Sequence, residues 1–186
     1  MNAIVRNIEN GTISDNAYGV LTEPTTLTLR RRLPGPIERV WACLTDSKLR
    51  RRWLASGEMD LKVGAIFDLT WRNDELTDPP GRRPDGFPGV HTNENRLLSV
   101  KPNRRLSFAF ATYGEVTFEL EPQGRDVLLT MTHRGVADRG LLLIVAPSWH
   151  NHLDLLADRL ADRTPEEPYW DKMARLQADY ERRIPA

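Results

Sequence analysis

Cysteine is almost missing from this chain: Cys43 is the single one among 186 residues. No internal disulfide can form, so a small secreted scaffold stapled by cystines is excluded. Lysine is scarce as well, occurring only at Lys48, Lys62, Lys101 and Lys172, so nearly all of the 26 basic residues are arginine. An excess of either charge is absent, with 26 acidic residues balancing the bases. That balance argues against a surface built as an electrostatic trap for nucleic acid or an acidic membrane. No hydrophobic run approaches the roughly 18 residues of a membrane span. The longest, residues 141–147, is far too short. The first ten residues have no basic start, apolar core or small-residue cleavage site, so no signal peptide is expected. Phosphate-cradling glycine loops, nucleophile elbows and zinc-type cysteine spacings are missing too. What remains is a soluble cytoplasmic protein, one domain with an appendage, and the arginine bias suits a GC-rich bacterial source.

The patterning is that of a mixed α and β chain. Residues 1–17 are polar and irregular and predict a loose segment, with a short edge strand at 18–21. In residues 25–33, Leu27, Leu29 and Leu33 alternate with polar residues at the period of a half-buried strand. Pro34-Gly35-Pro36 ends it, and Ile37, Val40, Trp41 and Leu44 follow at helical spacing. Cys43 falls within that helix and reads as a small core residue rather than a reactive thiol. Asp46 suits the N-cap of a second short helix bearing Leu49 and Trp53. Five strands are expected at 65–72, 95–101, 104–112, 115–121 and 125–133, joined mostly by hairpins into an antiparallel meander with one apolar face. The cover for that face is a helix over 147–163, with Pro147 in its first turn and Trp149, Leu153, Leu156 and Leu160 as its stripe. Asp154, Asp158 and Asp162 fall on its opposite side. A further amphipathic helix is expected over 169–183, and residues 73–90, rich in proline and glycine, form a long ordered loop or a flap. The expected division is a loose segment at 1–17, a domain at 18–166 and a helical extension at 167–186.

This order of elements, together with Arg31–Leu33, Val40-Trp41, Leu44-Thr45-Asp46, Leu49, Trp53, Glu115–Pro122, Leu128–His133 and Trp149-x-x-x-Leu153-x-x-Leu156-x-x-x-Leu160, resembles the START/SRPBCC superfamily. Within it, the chain is similar to the bacterial branch related to the activator of the heat-shock protein 90 ATPase. The resemblance covers residues 18–163. It implies an α+β helix-grip fold, in which a curved antiparallel sheet wraps a long C-terminal helix and encloses an apolar cavity. Members bind lipids, hormones or polyketides, and some are cyclases or aromatases. No catalytic motif is common to the family, and the charged motif of true chaperone activators has no match here.

On the inward faces, Trp71, Phe108, Phe110, Phe118 and Trp149 form an aromatic set. With Leu69, Leu129, Met131, Leu153 and Leu156 they would line such a cavity. His133 shares the inward parity of its strand and could meet a ligand oxygen or act as an acid or base near neutrality. Arg31 also has inward parity and could anchor an anion or curl its stem out to solvent. His91 follows the Pro/Gly loop and could sit at the mouth. His150 and His152 lie about 200° apart on a helix, so they cannot share an ion. His150 and Asp154 share a face and read as a solvated i,i+4 pair. The arginine clusters 30–32, 50–52 and 104–105 read as solvated faces. No metal, cofactor, catalytic residue, nucleic acid or membrane is therefore expected, and the state is a monomer or homodimer. Three readings of function follow: a binder of a small hydrophobic molecule, a cyclase- or hydrolase-type enzyme using the same cavity, and a protein-interaction module of chaperone-activator type.

Overall fold

The computed structural model describes residues 18–184, so the expectation for residues 1–17 lies outside the described residues. Eight strands form one antiparallel sheet in the order β1-β2-β8-β7-β6-β5-β4-β3. In chain order these are β1 (Val20–Glu23), β2 (Thr26–Pro34), β3 (Ala55–Ser56), β4 (Ile66–Trp71), β5 (His91–Lys101), β6 (Arg105–Phe110), β7 (Glu115–Gln123) and β8 (Asp126–Arg134). Helices α1 (Ile37–Thr45) and α2 (Ser47–Arg50) separate β2 from β3, and α3 (Arg139–Leu160) and α4 (Tyr169–Arg183) follow the sheet. The fold is thus α+β, a curved sheet gripping the long helix α3.

Local chemistry sets most boundaries. Leu27, Leu29, Arg31 and Leu33 of β2 are all buried, the inward half of a period-2 strand. Asp46 caps α2 by accepting from the backbone N–H groups of Lys48 (2.8 Å) and Leu49 (3.0 Å). Helix α2 is a single turn; Trp53 lies beyond it and donates its Nε1–H to the Cys43 carbonyl at 2.9 Å. The meander registers Phe118 opposite Leu106 and Met131, which stacks inward apolar residues across three strands.

Several expectations need correction. Helix α3 starts at Arg139, two turns before Pro147, and Pro147 lies inside it. The Asp138 side chain accepts from Leu141 N at 2.9 Å and supplies the start signal. A proline there forfeits one helical hydrogen bond, but Leu142, Val145 and Ala146 on the preceding turns are buried in the core and hold them helical. Strand β5 begins at His91 rather than Asn95, and the two-residue β3 has no sequence signal. The polar side of α3 is not solvated either. His150, Asn151, His152 and Asp154 are all buried, because α4 covers the face that the sheet leaves open. Arg31 and Arg50, read as solvated, are at 0% and 2% exposure. Burying a charge is costly unless partners are supplied, and both have them. Arg31 Nε donates to Asp154 Oδ1 at 2.9 Å. Arg50 donates to the carbonyls of Leu44, Thr45, Ala55 and Gly57, two of which end α1, where a cation offsets the helix dipole.

Candidate functional site

The inner face of the sheet gathers its rings at one end. Phe110 lies 6.0 Å from Trp149, 6.0 Å from Trp71 and 5.8 Å from His133, centroid to centroid. Phe118 meets Trp149 edge-on at 5.8 Å and Phe108 at 6.3 Å. Trp71 stacks parallel on His91 at 5.7 Å and packs against His152 at 5.4 Å. So Trp71, Phe108, Phe110, Phe118, His133 and Trp149 come together as one cluster, with Leu69, Leu129, Met131, Leu153 and Leu156 buried around it. The space they enclose is nearly filled. A void of about 10 Å³ borders Leu69, Phe108, Phe118, Trp53 and Arg50, at the limit of what one water occupies.

Sequence reasoning missed several polar groups at this end. Trp71 Nε1 donates to Asn93 Oδ1 at 2.6 Å, and Asn93 Nδ2 donates to Asn95 Oδ1 at 2.9 Å. Extending the inward parity of Leu97 back through Asn95 and Asn93 to His91 would have found both. His152, given no role by the sequence, donates Nδ1–H to the Trp53 carbonyl at 2.7 Å and accepts from Tyr169 Oη at 3.2 Å. His133 is equally engaged. Its Nδ1 accepts from Trp149 Nε1 at 3.1 Å, which leaves Nε2–H to donate to the Tyr113 carbonyl at 2.7 Å. A ring with both nitrogens committed in this way is neutral, and burial holds it so by lowering its pKa.

The same cause, burial, pushes His152 down to about 4. In the unfolded chain a histidine takes up its proton near pH 6.5. Between those values the unfolded state binds a proton the folded state refuses, so stability falls as pH drops from about 6.5 toward about 4. His133 and His150, also lowered by burial, add in the same direction. Urea titrations at pH 7 and pH 4.5 should differ by a few kcal/mol, His152 alone contributing on the order of 3. Equal stability at the two values would show that the imidazoles are solvated.

Loop 72–90 and the start of α4 close this end. Tyr169 N donates to Thr77 Oγ1 at 2.9 Å, Trp170 N to the Pro80 carbonyl at 2.9 Å, and Trp170 Nε1 to Asp74 Oδ1 at 2.7 Å. Phe87 of the loop meets Trp170 edge-on at 5.1 Å and His91 at 6.0 Å. The Pro/Gly segment is thus an ordered cover pinned by α4.

A second feature lies on the far side of α3. Asp154 accepts from Arg31, from Lys172 Nζ at 2.9 Å and from His150 Nε2 at 3.3 Å. Burial alone would raise its carboxyl, but His150, Arg31 and Lys172 outweigh burial and hold it well below the usual carboxylate range. Tyr180 Oη accepts from Gly19 N at 2.7 Å and donates to His150 Nδ1 at 3.1 Å, so the cluster joins β2, α3, α4 and the residue that leads into β1. Beside it runs an open groove of about 870 Å³ whose walls mix Arg32, Arg163 and Arg175 with Asp126, Asp158 and Glu167. This groove is far larger than the void between the sheet and the helix. Among the described residues, no three His, Cys, Asp or Glu side chains converge as a metal site requires, and no helix is long and apolar enough to cross a membrane.

Residues 34–161 match the family described as activator of Hsp90 ATPase homolog 1-like protein. No curated protein matches the chain. Among solved structures, a Bordetella parapertussis protein determined by solution NMR is 34% identical over 94% of this chain and 97% of its own, with a TM-score of 0.76. CalU16 of Micromonospora echinospora is 22% identical over 84% of this chain and 86% of its own, at a TM-score of 0.62. DynU16, from the dynemicin biosynthetic locus, is 16% identical over 79% of this chain and 50% of its own, at 0.60. The last two show a shared fold. With most of its length matched by the family and by a relative at one-third identity, the chain belongs to the activator of Hsp90 ATPase homolog 1-like family.

Proposed function

We propose that this protein binds a small hydrophobic molecule of aromatic-ring size between the sheet and α3, admitted at the ring-lined end beneath loop 72–90. The observation that carries this reading is the convergence of Trp71, Phe110, Phe118 and Trp149 with His91 and His133 at one end of the inner face, under the cover of loop 72–90. Apolar walls with a small number of polar groups are the usual make-up of a ligand pocket. The small void beside Phe108 and Phe118 belongs to the closed state, so entry requires the cover to lift and the rings to turn. A binding role accords better with the histidines than an acid–base role does, because His133, His150 and His152 each have both ring nitrogens occupied. The Cys43 thiol is buried and its pKa raised by that burial, which suits no nucleophile.

The test is Leu153→Trp on the sheet-facing side of α3, read by melting temperature and by Nile red fluorescence. Uptake of the dye by the parent, lost in the variant with little change in melting, supports an interior that opens. A parent that takes up no dye, with a variant weakened by about 1–3 kcal/mol as overpacking a solid core demands, overturns the reading.

A further inference from the structure

The ring-lined end holds two buried polar atoms with no partner, Asn73 Oδ1 and His91 Nδ1. Asn73 is at 7% exposure, and its amide oxygen can only accept. An acceptor shut off from water without a donor is destabilising, and folded proteins leave few such groups. Both residues are close to Trp71, His91 by its ring contact and Asn73 along the chain. His91 is registered directly opposite Trp71 and stacks on it, while Asn73 follows Trp71 by two residues and is buried at the start of the 3-10 turn that leaves β4. The other polar groups around Trp71 are already spent. Its own Nε1–H goes to Asn93, Asn93 and Asn95 close on each other, and His152 is held by Trp53 and Tyr169. Two acceptors are left over where a ligand would enter.

Resting on the binding reading above, we infer that Asn73 and His91 form a polar subsite that selects ligands carrying an O–H or N–H donor on a flat apolar ring system, a phenol-like class. The ring lies among Trp71 and Phe110, and the donor reaches Asn73 Oδ1 or the neutral His91 Nδ1. With its other nitrogen protonated, His91 accepts without any change of charge. A hydrocarbon of the same size leaves both acceptors as they are and gains only the apolar contact.

The full chain is titrated with 2-naphthol, 2-methoxynaphthalene and 2-methylnaphthalene, followed by calorimetry. One buried hydrogen bond to the hydroxyl is expected to make 2-naphthol bind about tenfold tighter than the two probes without a donor. Asn73→Leu should erase that preference, so that 2-naphthol and 2-methylnaphthalene bind the variant about equally. His91→Phe keeps the stack on Trp71 and should shrink the preference, which provides a second reading if Asn73→Leu folds poorly. Equal binding of all three probes by the parent, or a preference that survives both variants, overturns the subsite while the binding reading stands; it means the two atoms are served by water. Failure of every probe to bind overturns the binding reading and the subsite with it.

Discussion

Asp154→Asn is expected to destabilise the protein by about 3–5 kcal/mol, the range for breaking a buried ion pair from one side. The carboxylate neutralises a guanidinium that has no exposure at all and takes a second cation from Lys172 on α4. An amide cannot repay that. It removes the counter-charge and keeps one acceptor oxygen, so its NH2 must face either Arg31 or His150 and Lys172, which are themselves donors there. Lys172 can swing outward, its side chain being one-fifth exposed, but Arg31 cannot. For a chain of this length the loss corresponds to a melting temperature lower by roughly 10 °C. Because the cluster also carries α4 and β1 through Tyr180, amide exchange should rise across residues 169–183 before the sheet opens. Replacing both partners, Arg31→Met with Asp154→Leu, should recover most of the loss, since no lone charge is then buried. Urea denaturation decides the matter: a change below 1 kcal/mol in Asp154→Asn would mean the carboxylate is solvated.

Trp149→Ala is expected to cost a similar amount, about 3–5 kcal/mol, by a different mechanism. This side chain is 3% exposed and packs edge-on against Phe118 and obliquely against Phe110. Removing it leaves a large cavity at the point where α3 meets the sheet. It also orphans His133 Nδ1, which accepts the indole N–H. Trp149→Phe separates the two effects. It keeps a ring in place and deletes the donor, so it should lose only about 1–3 kcal/mol for the unmade hydrogen bond and the smaller ring. Circular-dichroism melts of the three proteins read this directly. A Trp149→Ala protein melting within a degree or two of the parent would remove Trp149 from the core.

Periodicity made much of this architecture legible. Strands β2, β6, β7 and β8 and helices α1 and α4 lie where alternation and helical spacing predict them, because a strand with one wet face and a helix with one apolar stripe record their environment in every second or every third and fourth residue. Asp46 marked its cap for an equally local reason. The family was legible too, since the order of such elements is carried by the chain itself. The aromatic cluster was readable as parity: Phe108, Phe110, Phe118, His133 and Trp149 were each assigned inward, and each is buried.

What parity cannot state is what packs on the other side. His150, Asn151, His152 and Asp154 are polar residues on α3, and polarity alone reads as solvent. Their burial is decided by α4, which folds back over them and brings Tyr169, Lys172 and Tyr180 as partners from a distant stretch of sequence. Arg31 was the same problem seen from β2, an inward charge whose counter-ion lies 123 positions away. Arg50 finds backbone carbonyls that exist as acceptors only because α1 ends beside them. The start of α3 was misread because Pro147 reads locally as a first-turn residue, whereas burial of Leu142, Val145 and Ala146 in the core carries the helix through it from the Asp138 cap. The size of the interior void is of the same kind. The chain determined which residues face inward, through a pattern that each element bears alone; only the tertiary structure decided how closely those faces meet and which buried charges find partners, because packing and charge compensation are properties of pairs brought together by the fold.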